Sequence, residues 1–184
     1  VGVGAIGEDR VNVAYADPPY PGLAKKHYAD HEDYAGEVDH RELLADLCRF
    51  DAWVLHTGSV TLSYILGLCP PDVRVGAWVK TFAVLKPRVN PAYAWEPVIF
   101  YGGRNDPSRE APTVVDWIAH PITLRKGLTG AKPPAVIEWA FRMLGLNGED
   151  ALVDLFPGTG IVSRTWESFS RQLSIPDNTS ARLC

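Results

Sequence analysis

The chain is short of the features that would mark several common classes. Its 184 residues hold three cysteines and one methionine, and no stretch is apolar for long enough to span a bilayer. Cys48, Cys69 and Cys184 lie far apart with no Cys-x-x-Cys among them, which excludes a dense disulfide framework and points to a reducing setting. Cys48 falls at an apolar helical position and is expected in the core. The five histidines show no His-Glu-x-x-His spacing, and His27 and His31, four apart among acidic residues, read as a solvated loop rather than a metal pair. Gly-Lys-Ser/Thr is absent, which counts against a nucleoside triphosphatase. Val1 to Ile6 lack the basic start of a secretory signal, so a cytoplasmic, non-membrane protein is expected. There is no internal repeat and no low-complexity tract.

Net positive charge is also missing. The formal charge is −4, unfavourable for non-specific phosphate binding. The balance is uneven, with acidic residues crowding positions 30 to 51. The middle carries Lys80, Lys86, Arg88, Arg104, Arg109, Arg125, Lys126 and Lys132. Such a stretch fits either a local groove for a polyanion or an ordinary mixed surface.

What is present alternates between short apolar runs and helical spacing. Strands are expected at 11–16, 52–56, 73–79, 97–101 and 151–154, with a short one at 114–118 and an edge strand at 172–175. Helices are expected after a capping Asp39 with Glu42 three residues on, at 61–68, from Lys132-Pro133-Pro134 to Leu144, and at 161–171. This order implies an α/β protein with a mostly parallel sheet and crossover helices. The chain is long enough for one domain, with loop insertions around 80–95 and 104–130.

Two strand ends carry the chemistry. The first strand breaks into Asp17-Pro18-Pro19-Tyr20. Proline has no N–H and a fixed φ, so the strand must stop, and the Pro18 carbonyl is expected to face out as an acceptor beside the Asp17 carboxylate. Two acceptors suit the two N–H donors of an exocyclic base amine. Drawing on both pulls the nitrogen toward a tetrahedral shape and frees its lone pair. Tyr20 offers a face for stacking. The late strand breaks into Asp154-Leu155-Phe156-Pro157-Gly158-Thr159-Gly160. Its glycines let the backbone approach a ligand, and the helix that follows presents free N–H groups.

Asp-Pro-Pro-Tyr followed by a Lys-Pro helix and then a Phe-x-Gly-x-Gly loop resembles the S-adenosylmethionine-dependent amino-methyltransferases of DNA, in the order of their beta-class, circularly permuted branch. Gly130 to Glu138 and Trp95 to Phe100 resemble segments of the same family. The resemblance implies a permuted Rossmann-like methyltransferase fold, S-adenosyl-L-methionine as cofactor and direct methyl transfer without a metal. Asp17, Pro18, Pro19 and Tyr20 would take the flipped base, with adenine N6 favoured by the leading Asp and the RNA adenine and cytosine N4 alternatives open. A catalytically silent relative that binds nucleic acid or a partner is the rival reading. Tyr15, Ala16, Lys132, Pro133, Asp154, Phe156, Pro157, Gly158, Thr159 and Gly160 would line the cofactor. Lys132 and Pro133 would lie at its amino-acid end. Family members hold the cofactor ribose with an acidic residue on the next strand. Asp177 is the candidate here, and the last edge strand of a full sheet is expected to be missing. The target-recognition region is small, so low specificity, a homodimer or a separate recognition subunit is expected.

Overall fold

The computed structural model describes residues 10–22, 36–82, 87–104, 113–122 and 131–173. Its elements in chain order are β1 (Asn12–Ala16), α1 (His40–Leu47), β2 (Ala52–His56), α2 (Leu62–Leu66), β3 (Arg74–Val79), β4 (Trp95–Gly102), β5 (Trp117–Ala119), α3 (Pro134–Met143), β6 (Ala151–Asp154) and α4 (Ile161–Leu173). One six-stranded sheet runs β5-β3-β4-β2-β1-β6. β1 is parallel to both β2 and β6, and β3 is parallel to β5. β4 runs antiparallel to β2 and β3. The sheet is therefore mixed and mostly parallel. β4 reverses, and among the described residues no helix lies between it and β3, whereas a parallel return would require a crossover.

The strands read as continuous apolar runs because both faces are covered. Along β1, Val13 and Tyr15 enter one core with Val54, Phe100, α3 and α4, while Ala14 and Ala16 enter the other with Trp53, Leu55, α1 and α2. The period of two along a strand thus sorts one pentapeptide between two cores. Asp39 caps α1 as expected, its side chain accepting from the N–H groups of Arg41 and Glu42. α3 starts with Pro134 in its first turn after Pro133 at the cap.

Several expectations are corrected. Cys48 is exposed: it follows the last helical residue of α1, past the buried positions Leu43, Leu44 and Leu47. The strand expected at 114–118 forms at Trp117–Ala119 instead. The Val115 carbonyl is taken by the Trp139 indole, at 2.9 Å. Gln172 and Leu173, expected to begin an edge strand, continue α4, and the rest of that segment, with Asp177, lies outside the described residues. Among the described residues β6 is an edge of the sheet.

Gly76 is the point where α3 docks. A Cβ there would lie 2.8 Å from the Trp139 ring and 2.9 Å from both the Phe100 ring and the Asp116 carbonyl oxygen. Trp139 and Phe100 already meet edge to face, with centroids 5.4 Å apart. Gly76→Ala is expected to cost about 1–3 kcal/mol through overpacking, measured as a lower urea midpoint at unchanged slope. Val60→Ala, at an exposed site, is expected to stay within about 0.5 kcal/mol of the parent.

Candidate active site at the carboxyl edge of the sheet

The parallel pairing of β1 and β6 sets Tyr15 opposite Asp154, and the Leu155 N–H donates to the Tyr15 carbonyl at 2.9 Å. Asp17-Pro18-Pro19-Tyr20 and Phe156-Pro157-Gly158-Thr159-Gly160 therefore leave the sheet side by side. β2 ends on the same edge with His56. The antiparallel β4 starts there, since Val98 lies opposite His56. Glu96 and Lys80, at the adjoining ends of β4 and β3, complete the edge. Ligands of open α/β sheets bind at this carboxyl edge.

Asp17 is bound from one side. The Lys132 ammonium, in the segment leading into α3, donates to both carboxylate oxygens at 2.7 and 2.8 Å. Burial pushes the Asp17 carboxyl up from its ordinary range, and Lys132 opposes that shift. The same ammonium lies 3.4 Å from the Tyr20 hydroxyl and 3.7 Å from Glu96. Tyr20 donates to Glu96 Oε2 at 2.8 Å, and Lys80 donates to Glu96 Oε1 at 2.6 Å. Burial alone would raise the Glu96 carboxyl, but Lys132, Lys80 and the Tyr20 hydroxyl hold it down at about 2. Burial first, then Asp17 and Glu96, push the Tyr20 phenol well above its ordinary value, so it stays protonated and can donate. Two ammonium groups thus balance two carboxylates around one phenol.

Beneath this network Tyr15 and His56 are fully buried, with the Tyr15 hydroxyl 2.6 Å from His56 Nε2. Burial drives the His56 imidazole well below its ordinary value, assisted by Lys132, so it is neutral. His56 Nδ1 has no hydrogen-bond partner. Gly58, just past β2, lies under the Tyr20 ring: a Cβ there would sit 3.2 Å from Tyr20 Cδ2. Ala16 is buried beside α1 and α2, away from Tyr15, because neighbouring strand residues face opposite sides.

The glycine-rich loop has the opposite character. Asp154 Oδ1 accepts from the Phe156 N–H at 3.1 Å, while Oδ2 is buried and has no partner. Burial, with a contribution from Asp17, raises the Asp154 carboxyl. Gly158 and Gly160 hold φ of 41° and 70°. Among the described residues, a side chain at Gly158 would meet no atom nearer than the Phe156 carbonyl oxygen at 3.8 Å. An unsatisfied buried acceptor beside a glycine-containing turn fits a cationic or N–H-bearing ligand group. Pro133 and Lys132 reach the same edge, with Lys132 turned onto Asp17. No cluster of three or more metal-ligating side chains occurs among the described residues. His27 and His31 lie outside them.

Glu96, Lys80, His56 and Gly58 were not singled out by sequence reasoning as parts of the site. Each lies at or just past a strand end, but only the sheet order shows which ends are neighbours. The basic middle of the sequence does not form an open groove among the described residues. Lys80 and Lys132 are paired inside the site, and Arg104 forks onto Asp150 at the opposite edge, at 2.7 and 2.8 Å. Arg88 is exposed. Lys86, Arg109, Arg125 and Lys126 lie outside the described residues.

Two solved structures share this arrangement of elements. One is M1.HpyAVI in complex with SAM, with a TM-score of 0.55, 16% identity, and coverage of 88% of this chain and 79% of that one. The other is M1.HpyAVI alone, with a TM-score of 0.54, 17% identity and coverage of 88% and 78%. The likeness is one of fold. No protein-family model matches the chain, and no curated protein matches it in sequence. No helix among the described residues is long and apolar enough to cross a membrane.

The buried imidazole predicts a pH dependence. Below its ordinary value of 6.5 the unfolded chain protonates His56 while the folded chain does not. The contribution of His56 is therefore fully present above about pH 7 and is lost with acidification through pH 6 to 5. His40, also lowered by burial, adds to the slope. In His56→Gln the urea midpoint is expected to fall less steeply over this window. A slope equal to the parent's would show that the folded state admits the proton.

Proposed function

We propose that the chain is an S-adenosylmethionine-dependent methyltransferase acting on the exocyclic amine of a nucleic-acid base, with adenine N6 in DNA as the favoured target. The supporting observation is the side-by-side exit of the two loops, fixed by Tyr15 opposite Asp154. That pairing puts a carboxylate, a proline-rigid loop and an aromatic side chain beside a glycine turn with an unsatisfied buried acceptor. The permuted order is part of the reading: the strand carrying Asp17 comes first in the chain, and the glycine-loop strand comes late but pairs directly with it. The likeness in fold to M1.HpyAVI, solved with SAM, supports the cofactor.

In this reading the bound cofactor supplies an electrophilic methyl group on a sulfonium. Asp154, Phe156, Pro157, Gly158, Thr159 and Gly160 hold it, with Tyr15 backing the site, Ala16 contributing only through the strand backbone, and Lys132 and Pro133 closing the amino-acid end. Tyr20 stacks the base, which must leave a duplex to reach it. The Asp17 carboxylate and the Pro18 carbonyl accept the two amine hydrogens, orienting the nitrogen lone pair along the line of displacement, so most of the rate comes from alignment. No covalent enzyme adduct is needed. Lys132 takes one lone pair on each Asp17 oxygen, which leaves each oxygen a second lone pair for an amine hydrogen. The same ion pair also serves a second reading, a catalytically silent nucleic-acid-binding relative, in which Asp17 does no more than hold Lys132.

Labelled S-adenosylmethionine incubated with DNA or RNA, followed by mass spectrometry of the nucleosides, tests the assignment. The expected product is N6-methyladenosine in the deoxy series. Donor binding detected by calorimetry without transfer to any base supports the silent reading, and absence of binding at millimolar donor removes the cofactor. Asp17→Ala is expected to lower turnover at least about a hundredfold while leaving donor affinity nearly unchanged. Equal activity in parent and variant refutes the carboxylate's role. Tyr20→Ala is expected to weaken binding of an unpaired target base by about 1–3 kcal/mol, measured by titration with a mismatched oligonucleotide.

A further inference from the structure

Tyr20 stands on a loop, yet its ring is held from the sheet. The hydroxyl donates to Glu96 Oε2 at 2.8 Å, and the ring edge lies over Gly58. Glu96 is itself fixed. Its other oxygen accepts from Lys80 at 2.6 Å, and its side chain is only 16% exposed. Lys80 and Glu96 come from adjoining strand ends that are locked together. Val79 pairs with Trp95, and the Lys80 N–H donates to the Ala94 carbonyl at 2.8 Å. A loop side chain is thus tied to a hydrogen-bonded corner of the sheet.

We propose that Glu96 is the positioning residue that fixes the plane of the Tyr20 ring for stacking of the substrate base, with Lys80 holding Glu96 in place. This rests on the methyltransferase reading of Tyr20 and deepens it. A stacking face has value only at one tilt, because the amine of the base must meet Asp17 at the same time. Without a tether, rotation about two side-chain bonds would spread the ring over many tilts. A carboxylate suits the task better than an amide: one group must accept from a phenol and an ammonium together while balancing Lys132 nearby. No proton changes hands. Glu96 acts through Tyr20 and does not touch the reacting atoms.

The test compares parent, Tyr20→Phe, Glu96→Ala and the double variant, using labelled donor and an adenine-containing oligonucleotide. Each single change is expected to lower kcat/KM by about 10-fold to 100-fold with donor affinity unchanged, and the double variant to be no worse than the poorer single, as for two residues acting through one contact. Losses that multiply in the double variant, or a Tyr20→Phe enzyme as fast as the parent, overturn the proposal. Tyr20→Phe keeps the Lys80–Glu96 pair, so it decides the matter even if Glu96→Ala does not fold. A second readout needs no turnover. In protein labelled with 13Cζ-tyrosine, the Tyr20 resonance is the one lost in Tyr20→Phe. Glu96→Gln is expected to shift it and leave the Tyr101 resonance in place, and an unmoved signal overturns the tether. If the parent methylates no nucleic acid, the functional reading falls and the resonance alone decides whether Glu96 holds the ring.

Discussion

The pairing of β1 between β2 and β6 is the constraint from which the site follows. Parallel hydrogen bonding on both sides aligns three carboxyl ends, and Tyr15 opposite Asp154 sets the offset between the two loops. A slip of one residue would turn Tyr15 and Val13 from one core into the other and swing Asp17 to the wrong face of the sheet. The register is held where it matters. The Leu155 N–H bonds the Tyr15 carbonyl at one end, and the Val11 N–H bonds Asp150 at the other. Asp150 is in turn gripped by Arg104 through two contacts.

On that frame the two halves of the site are electrostatically unlike. Around Asp17, Tyr20 and Glu96 almost every polar group is satisfied by Lys132 or Lys80, so this half is rigid and its charges cancel. Around Asp154 one carboxylate oxygen is buried and unmatched. Buried polar groups rarely go unsatisfied without a functional reason. The satisfied half is poised for orientation, and the unsatisfied half for taking up a ligand with positive charge or N–H donors. Lys132, in the segment that leads into α3, supplies both contacts to Asp17.

The elements were legible where local rules dominate. Asp17-Pro18-Pro19 must end a strand, since two successive prolines offer no N–H to a ladder. Asp39 had to cap a helix, and the apolar stripe from Val136 to Leu144 had to be buried. The local reading failed where tertiary contacts override it. The short strand near Val114 moved to Trp117 because the Trp139 indole claims the Val115 carbonyl. Cys48 reads as apolar by type but falls beyond the buried face of its helix.

Residue order alone thus determined the α/β alternation and the two strand-ending loops, because backbone sterics and periodicity act over a few residues. Sheet order, the reversal of β4 and the meeting of Glu96, Lys80 and Lys132 around Tyr20 were decided only in three dimensions. Those side chains are up to 112 positions apart in contact terms, as between Lys132 and Tyr20. No local propensity specifies which strand ends become neighbours. That choice falls to the burial of two apolar faces at once.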